Sequence, residues 1–320
     1  MNTALLPLLS LSLLSAQVSD NQCAMKFGFA QRDGKFKLKD GTSRPRHTAV
    51  WLDDQNAMLF ADSMNVNTDG TLRSYSVDDY WGEKTALNNL CNASSDKCSG
   101  MTSDQKRARR LATQKAKADG WPIAAIPALK IDPQIIPFKE DGKPCDEVDG
   151  YLVSATALIK PGIDNRCDVN RYIDSQHLQA VVLPRGPRPD PKKPRNKSAF
   201  QLRGAEIGDL AVVMSGDGTV LTFAVVGDVG PASELGEGTI ALAKTLLRKD
   251  ALPLNYREVR GDTGQRWIPG KTFTLIFPKS RDAKNPYVDQ TRIDADAQKL
   301  FEAWGGVARL KDCASIYKAR

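Results

Sequence analysis

The chain has 320 residues, 41% of them hydrophobic, with 45 Lys and Arg against 38 Asp and Glu and a formal net charge of +7. That is enough apolar material for a sizeable core, in one large domain or two smaller ones. No internal repeat is visible, no run of about 18 apolar residues follows the N-terminal segment, and the two histidines, His47 and His177, belong to no zinc or hydrolase motif.

Ala4 to Ala16 is an apolar run of signal-peptide length, too short to span a bilayer. Residues 1–19 therefore read as an export signal cleaved near Ala16 or Ser19, and 20–320 as a single domain. The first cysteine, Cys23, does not directly follow the run, which argues against a lipid-anchored bacterial precursor. Six cysteines, Cys23, Cys91, Cys98, Cys145, Cys167 and Cys313, form no Cys-x-x-Cys pair and point to disulfides in an oxidising compartment. Six permit fifteen pairings; Cys91 with Cys98 and Cys145 with Cys167 would be local staples, and Cys23 with Cys313 would tie the ends. The localisation expected is secreted, or periplasmic in a bacterium.

Residues 22–40 are polar and extended, with Phe27, Phe29 and Phe36 hinting at short strands. Ala49–Leu52 and Ala57–Ala61 read as strands around the turn 53–56. Asn65–Gly70 resembles a calcium loop but lacks the terminal Glu and enough alternating acids, so no metal is assigned. Ser103–Gly120 is a helical pattern with six Lys and Arg. It has no interleaved aromatics for stacking on bases, so it reads as a solvated face and no nucleic-acid partner is assigned. Spaced prolines make 122–143 extended, and 184–197 a proline-rich surface loop or hairpin.

The chain is organised around 208–247. Ala211–Met214 and Thr219–Val226 flank the turn 215–218 and read as a hairpin. Asp209 fixes a turn before the first strand. Asp228 sits where the second strand ends, between Gly227 and Gly230-Pro231, which leave room for something to approach the backbone. Glu237 lies inside Gly236-Glu237-Gly238, just ahead of a helix starting near Thr239. Two carboxylates on glycine-flanked ends of rigid elements suit acid–base chemistry, in which one holds a proton while the other stays ionised. Residues 254–259 and 272–277 read as late strands. Thr291–Gly305 reads as an amphipathic helix with Ile293, Ala297, Leu300, Phe301 and Trp304 on one stripe.

VVGDVGPASELGEGTIALA (residues 225–243) resembles the signature of the fungal-type chitosanases, glycoside hydrolase family seventy-five. Three further stretches fit the same family in order: Leu59–Gly70, Tyr151–Leu158, and Tyr172–Asp174 leading to Val181–Pro184. In the first, the family usually has D-I-D-x-D-G, where Asn65 and Asn67 stand here. Relative to that core, 91–120 reads as an insertion. The resemblance implies inverting endo-hydrolysis of β-1,4-linked glucosamine, with Glu237 as general acid and Asp228 as general base or oxocarbenium stabiliser. It further implies a carboxylate separation of about 6.5–9.5 Å. By motif position, Tyr151, Thr156, Asp174, Asp62 and Asp69 would contact substrate. Many short strands suggest a mainly β fold with minor α. The order around residues 228–240 also looks like the catalytic half of double-psi β-barrels, so a double-psi-like barrel with a few decorating helices is expected. The partner expected is a polysaccharide, with no cofactor and no membrane after signal cleavage, the protein acting as a monomer. Chitosan is itself a polycation, so the +7 charge is awkward for it. Two alternatives stand beside it: a muramidase or lytic transglycosylase on the same scaffold, acting on peptidoglycan, and a non-catalytic carbohydrate-binding protein.

Overall fold

A computed structural model of the chain describes residues 23–37, 42–190, 193–264 and 266–318; the segment 1–19, expected to be an export signal, lies outside the described residues. Eight strands form one sheet: β1 Lys26–Lys37, β2 Ser43–Leu52, β3 Met58–Asn67, β4 Ala180–Pro184, β5 Leu210–Ser215, β6 Leu221–Gly230, β7 Glu237–Thr239 and β8 Gly270–Phe277. Their order is β1-β2-β3-β7-β4-β6-β5-β8, and β3 also pairs with β8, so the last six close into a barrel. The contacts β3–β7 and β4–β6 are parallel; the other contacts are antiparallel. Helix and strand contents are nearly equal, 24% and 25%. The closed sheet is nonetheless the frame and the helices are few, so the fold is mainly β in construction, as the sequence suggests.

Alternation along the strands separates inside from outside. Met58, Phe60, Val181, Leu183, Ala211, Val213, Ala224, Val226 and Ile276 come from five barrel strands and meet in one cluster, the barrel interior. Their neighbours Leu59, Val212, Met214, Leu275 and Phe277 face outward and are covered by two C-terminal helices, α5 (Gln290–Trp304) and α6 (Gly306–Lys318). On α5, Ile293, Ala297, Phe301 and Trp304 are buried, while Leu300 is 37% exposed, because the outer sheet face accepts only the stripe at spacings of three and four. The expected turn 53–56 is present, and Asp53 anchors it. Its Oδ1 accepts from the backbone N–H of Gln55 and Ala57, and its Oδ2 from Trp304 Nε1 at 2.7 Å.

The basic helix is α1, Ser103–Ala118, opened by a reciprocal capping box between Thr102 and Gln105. Arg109 pairs with Asp96 and so ties α1 to the preceding loop. A single turn, α2 (Ile126–Leu129), interrupts the segment expected to be extended. After β7 comes α3, Ile240–Leu246.

Residues 254–259 do not form a strand; Tyr256–Arg260 is the helix α4. Asn255 caps it by accepting from the Glu258 N–H, Glu258 reaches back to the Leu254 N–H, and Gly261 ends it in a left-handed conformation. These caps outweigh a short apolar alternation. The disulfides are Cys23–Cys313, Cys91–Cys98 and Cys145–Cys167, with no free cysteine among the described residues. Among the described residues no helix is long and apolar enough to cross a membrane.

Candidate functional site: a cleft lined by carboxylates

At one end of the barrel opens a cleft of about 860 Å³. Its floor is built where β7, β4 and β6 run side by side. Val182 on β4 is the register partner of Glu237 on β7 and of Asp228 on β6, so the two acids are two strand spacings apart. That puts their α-carbons on the order of 10 Å from each other. Both side chains line the cleft.

Gly230 explains how the carboxyl groups come closer than their backbones. It lies two residues beyond Asp228 on the same face of β6, and a Cβ placed there would stand 3.0 Å from Glu237 Oε2 and 3.1 Å from Val182 Cγ1. The space left by the missing side chain is thus filled by the Glu237 carboxyl.

The two acids have opposite surroundings. The Asp228 carboxylate accepts from three N–H groups: Oδ1 from the Ala157 and Val229 backbone at 3.0 and 2.8 Å, and Oδ2 from Asn67 Nδ2 at 3.2 Å. Burial raises its pKa above the ordinary value, and these donors, with Arg185 nearby, oppose that rise. Glu237 accepts no hydrogen bond from any described residue. Burial, reinforced by Glu234 and then by Asp69 and Asp228, pushes it up to about 7.

Asp69 is a further acid in the cleft, which Asp132 and Glu234 also line. Its Oδ1 accepts from Tyr75 Oη at 2.8 Å and Ser154 Oγ at 3.1 Å. Burial, then the charge of Asp228, pushes it up to about 7. Asn67 links the pair, because its Oδ1 accepts the Asp69 N–H at 2.6 Å while its amide nitrogen serves Asp228. Asn88 donates to Tyr75 Oη, and Asn92 donates to Asn88 Oδ1 and Tyr256 Oη. A polar wall therefore continues from Asp69 to α4.

Of the residues singled out from sequence, Asp228, Glu237, Asp69 and Thr156 line the cleft, whereas Tyr151, Asp174 and Asp62 do not. Thr156 Oγ1 is committed to the Leu158 carbonyl and the Ile173 N–H, so it contributes wall but no free hydroxyl. Tyr151 Oη donates to Thr85. Asp174 closes a turn, accepting from the Gln176 N–H and contacting His177. Asp62 is buried beside Asp33, with Arg46 bridging the two. Its burial, then that neighbouring carboxyl, pushes it up to about 7. The cluster holds the loop before Glu237: Asp33 Oδ1 accepts the Leu235 N–H, and Gly34 and Gln31 donate to Ser233 and Ala232 carbonyls. Asp62 thus sits behind the loop that carries Glu237 into the cleft.

Sequence reasoning missed Asn67 as a ligand of Asp228, and missed Lys97, Arg185 and Arg195, which also line the cleft. Lys97 comes from the segment taken as an insertion, held in a left-handed conformation inside the Cys91–Cys98 loop. Among the described residues no group of three or more His, Cys, Asp or Glu side chains could hold a metal ion. Such a cleft can protonate a leaving group at Glu237 and activate a water at Asp228, with a second carboxyl near enough to share a proton. Comparison with protein-family models gives no match, and comparison with curated proteins gives no significant match.

Proposed function

We propose that the protein is a secreted glycoside hydrolase that cleaves a β-1,4-linked glucosamine polymer by inverting general acid–base chemistry. One observation carries this reading. A desolvated carboxyl without hydrogen-bond donors, Glu237, and a carboxyl held by three N–H donors, Asp228, face one cleft from strands two spacings apart. Inversion needs room for a water between the two carboxyls, about 6.5–9.5 Å, whereas a covalent glycosyl intermediate needs about 5 Å. Glu237 delivers its proton to the glycosidic oxygen as the C–O bond breaks. Asp228 takes a proton from the water that attacks the anomeric carbon from the opposite face. Proton transfers of this kind contribute about 10²–10⁴-fold each. Asp69, pushed up to about 7 by burial and by Asp228, holds a proton over much of the range in which Glu237 can donate one. The four motif resemblances to the chitosanases favour glucosamine as the sugar, and three disulfides are compatible with export.

A second reading, cleavage of peptidoglycan glycan strands, is favoured by the +7 net charge, which suits an anionic polymer better than a polycation. The test is incubation of the parent, Asp228→Asn and Glu237→Gln with chitosan and with purified peptidoglycan. Released sugars are read by mass spectrometry, and the first anomer formed by NMR. Hydrolytic products of inverted configuration, lost in both variants while folding is kept, support the reading. Anhydro ends would make it a transglycosylase, and no turnover of either polymer by the parent would leave a binding protein.

A further inference from the structure

The cleft that holds the acids also holds four cations, Lys97, Arg185, Arg195 and Arg260, and none has a carboxylate within ion-pair distance among the described residues. Two of them are brought together by a backbone crossing. The proline-rich loop leaves β4 at Arg185-Gly186 and returns at Arg195-Asn196, where a Cβ on Gly186 would lie 1.6 Å from the Asn196 carbonyl oxygen. Only glycine permits that approach, and the Asn196 N–H closes the neck on the Pro187 carbonyl at 3.0 Å.

Arg185 is fixed beside the acids. Its Nε donates to the Gly230 carbonyl at 2.7 Å, one Nη to Val229 at 3.2 Å and the other to Gln134 Oε1 at 2.8 Å. Among the described residues Arg195 makes one hydrogen bond, to the Gly186 carbonyl at 3.5 Å. Burial, then the charges of Arg185 and Arg188, lower its pKa, and the charge of Asp132 opposes them without an ion-pair contact. The segment that carries Gln134 is bridged to the Cys91–Cys98 loop by Ser94 and Ile131. Lys97 therefore approaches from the same wall.

Unpaired guanidinium groups held at a cleft wall are preorganised for an oxyanion, and Arg matches a planar carboxylate with two parallel N–H donors. A polycationic chain would meet repulsion at the same place. We propose that Arg185 and Arg195, with Lys97, form a subsite for a carboxylate substituent on the sugar chain, so that the preferred substrate of the cleft is an acidic glycan. The proposal rests on the second reading, cleavage of an anionic glycan rather than of a glucosamine polymer, for its location beside the bond to be cut, but binding tests it separately.

The experiment measures calorimetric binding to the full chain carrying Glu237→Gln, alone and combined with Arg195→Gln or Arg195→Lys. Probes are glycan strands bearing lactyl carboxylates, the same strands with those carboxyls reduced to alcohols, uronate-containing hyaluronan oligomers, and chitosan oligomers. Lactyl or uronate strands should bind about tenfold or more tightly than the reduced ones, as a charge-assisted hydrogen-bonded pair implies. Arg195→Gln should remove most of that advantage and Arg195→Lys should keep part of it. The lactyl and uronate arms tell which carboxylate placement fits. Equal binding of carboxylated and reduced strands, tighter binding of chitosan, or no binding of any strand overturns the proposal. In parallel, parent turnover separates the two ideas. Cleavage without carboxylate preference sinks the subsite and leaves the hydrolase. Arg195-dependent carboxylate binding without cleavage of any probe does the reverse.

Discussion

Replacing Glu237 by glutamine is expected to stabilise the fold while stopping turnover. The Glu237 carboxyl is displaced from its ordinary value of 4.5 to about 7, so between those values the folded state holds a proton that the unfolded chain has released. Stability therefore falls as pH rises through that window and is lowest above it, where both states are ionised and the folded carboxylate remains desolvated. A displacement of that size corresponds to about 3 kcal/mol in the fully desolvated limit. The carboxyl faces an open cleft and is only half-buried, which reduces the expected effect to about 1–2 kcal/mol. Glutamine keeps the shape and removes the charge. In urea or guanidinium unfolding, the variant should exceed the parent by that margin at about pH 8.5 and match it at about pH 3.5, where the acid is neutral in both states. A gap that does not grow with pH, or a variant less stable than the parent at high pH, would refute the claim that Glu237 is held uncharged by its surroundings.

Further outcomes follow from the same geometry. The pH–rate profile on whichever glycan is cleaved should lose its alkaline limb through about 7, as Glu237 gives up the proton it must donate. Its acidic limb should lie above an ordinary aspartate range, because burial raises Asp228 and Asp69. Gly230→Ala places a methyl 3.0 Å from Glu237 Oε2, and should lower kcat by about 10–100-fold with little change in KM or in the thermal midpoint. An unchanged kcat would show that the Glu237 carboxyl does not need that space. Asp53→Ala, far from the cleft, leaves the buried Trp304 Nε1–H without its acceptor and should cost about 2–4 kcal/mol in denaturant unfolding, with normal kcat for the folded fraction.

What was legible in the sequence follows the range of the interactions involved. The β5–β6 hairpin shows through its apolar runs and turn residues, and the glycine-flanked Asp228 and Glu237 stand out because their setting is local. The reason for Gly230 was half visible: the missing side chain implied a close approach, but not that the approaching group is Glu237, from another strand. The helix α4 was hidden because a cap at Asn255 and Glu258 decides it, not periodicity. Tyr151 and Asp174 matched motif positions, yet each is used up by nearby hydrogen bonds. The cations of the cleft could not be found by scanning, since Lys97 depends on a disulfide loop and Arg195 on a crossing made by the far end of a proline-rich excursion.

Val182 between the two acids has a consequence for how the site can change. The gap between Asp228 and Glu237 is counted in whole strands, with hydrogen-bonded β4 as the spacer, so it behaves as a fixed gauge. Remodelling the surrounding loops can reshape what the cleft admits, but it leaves that gauge untouched. A chemistry demanding a tighter pair would have to relocate one acid to a neighbouring strand, a jump that no gradual drift of loop sequence supplies.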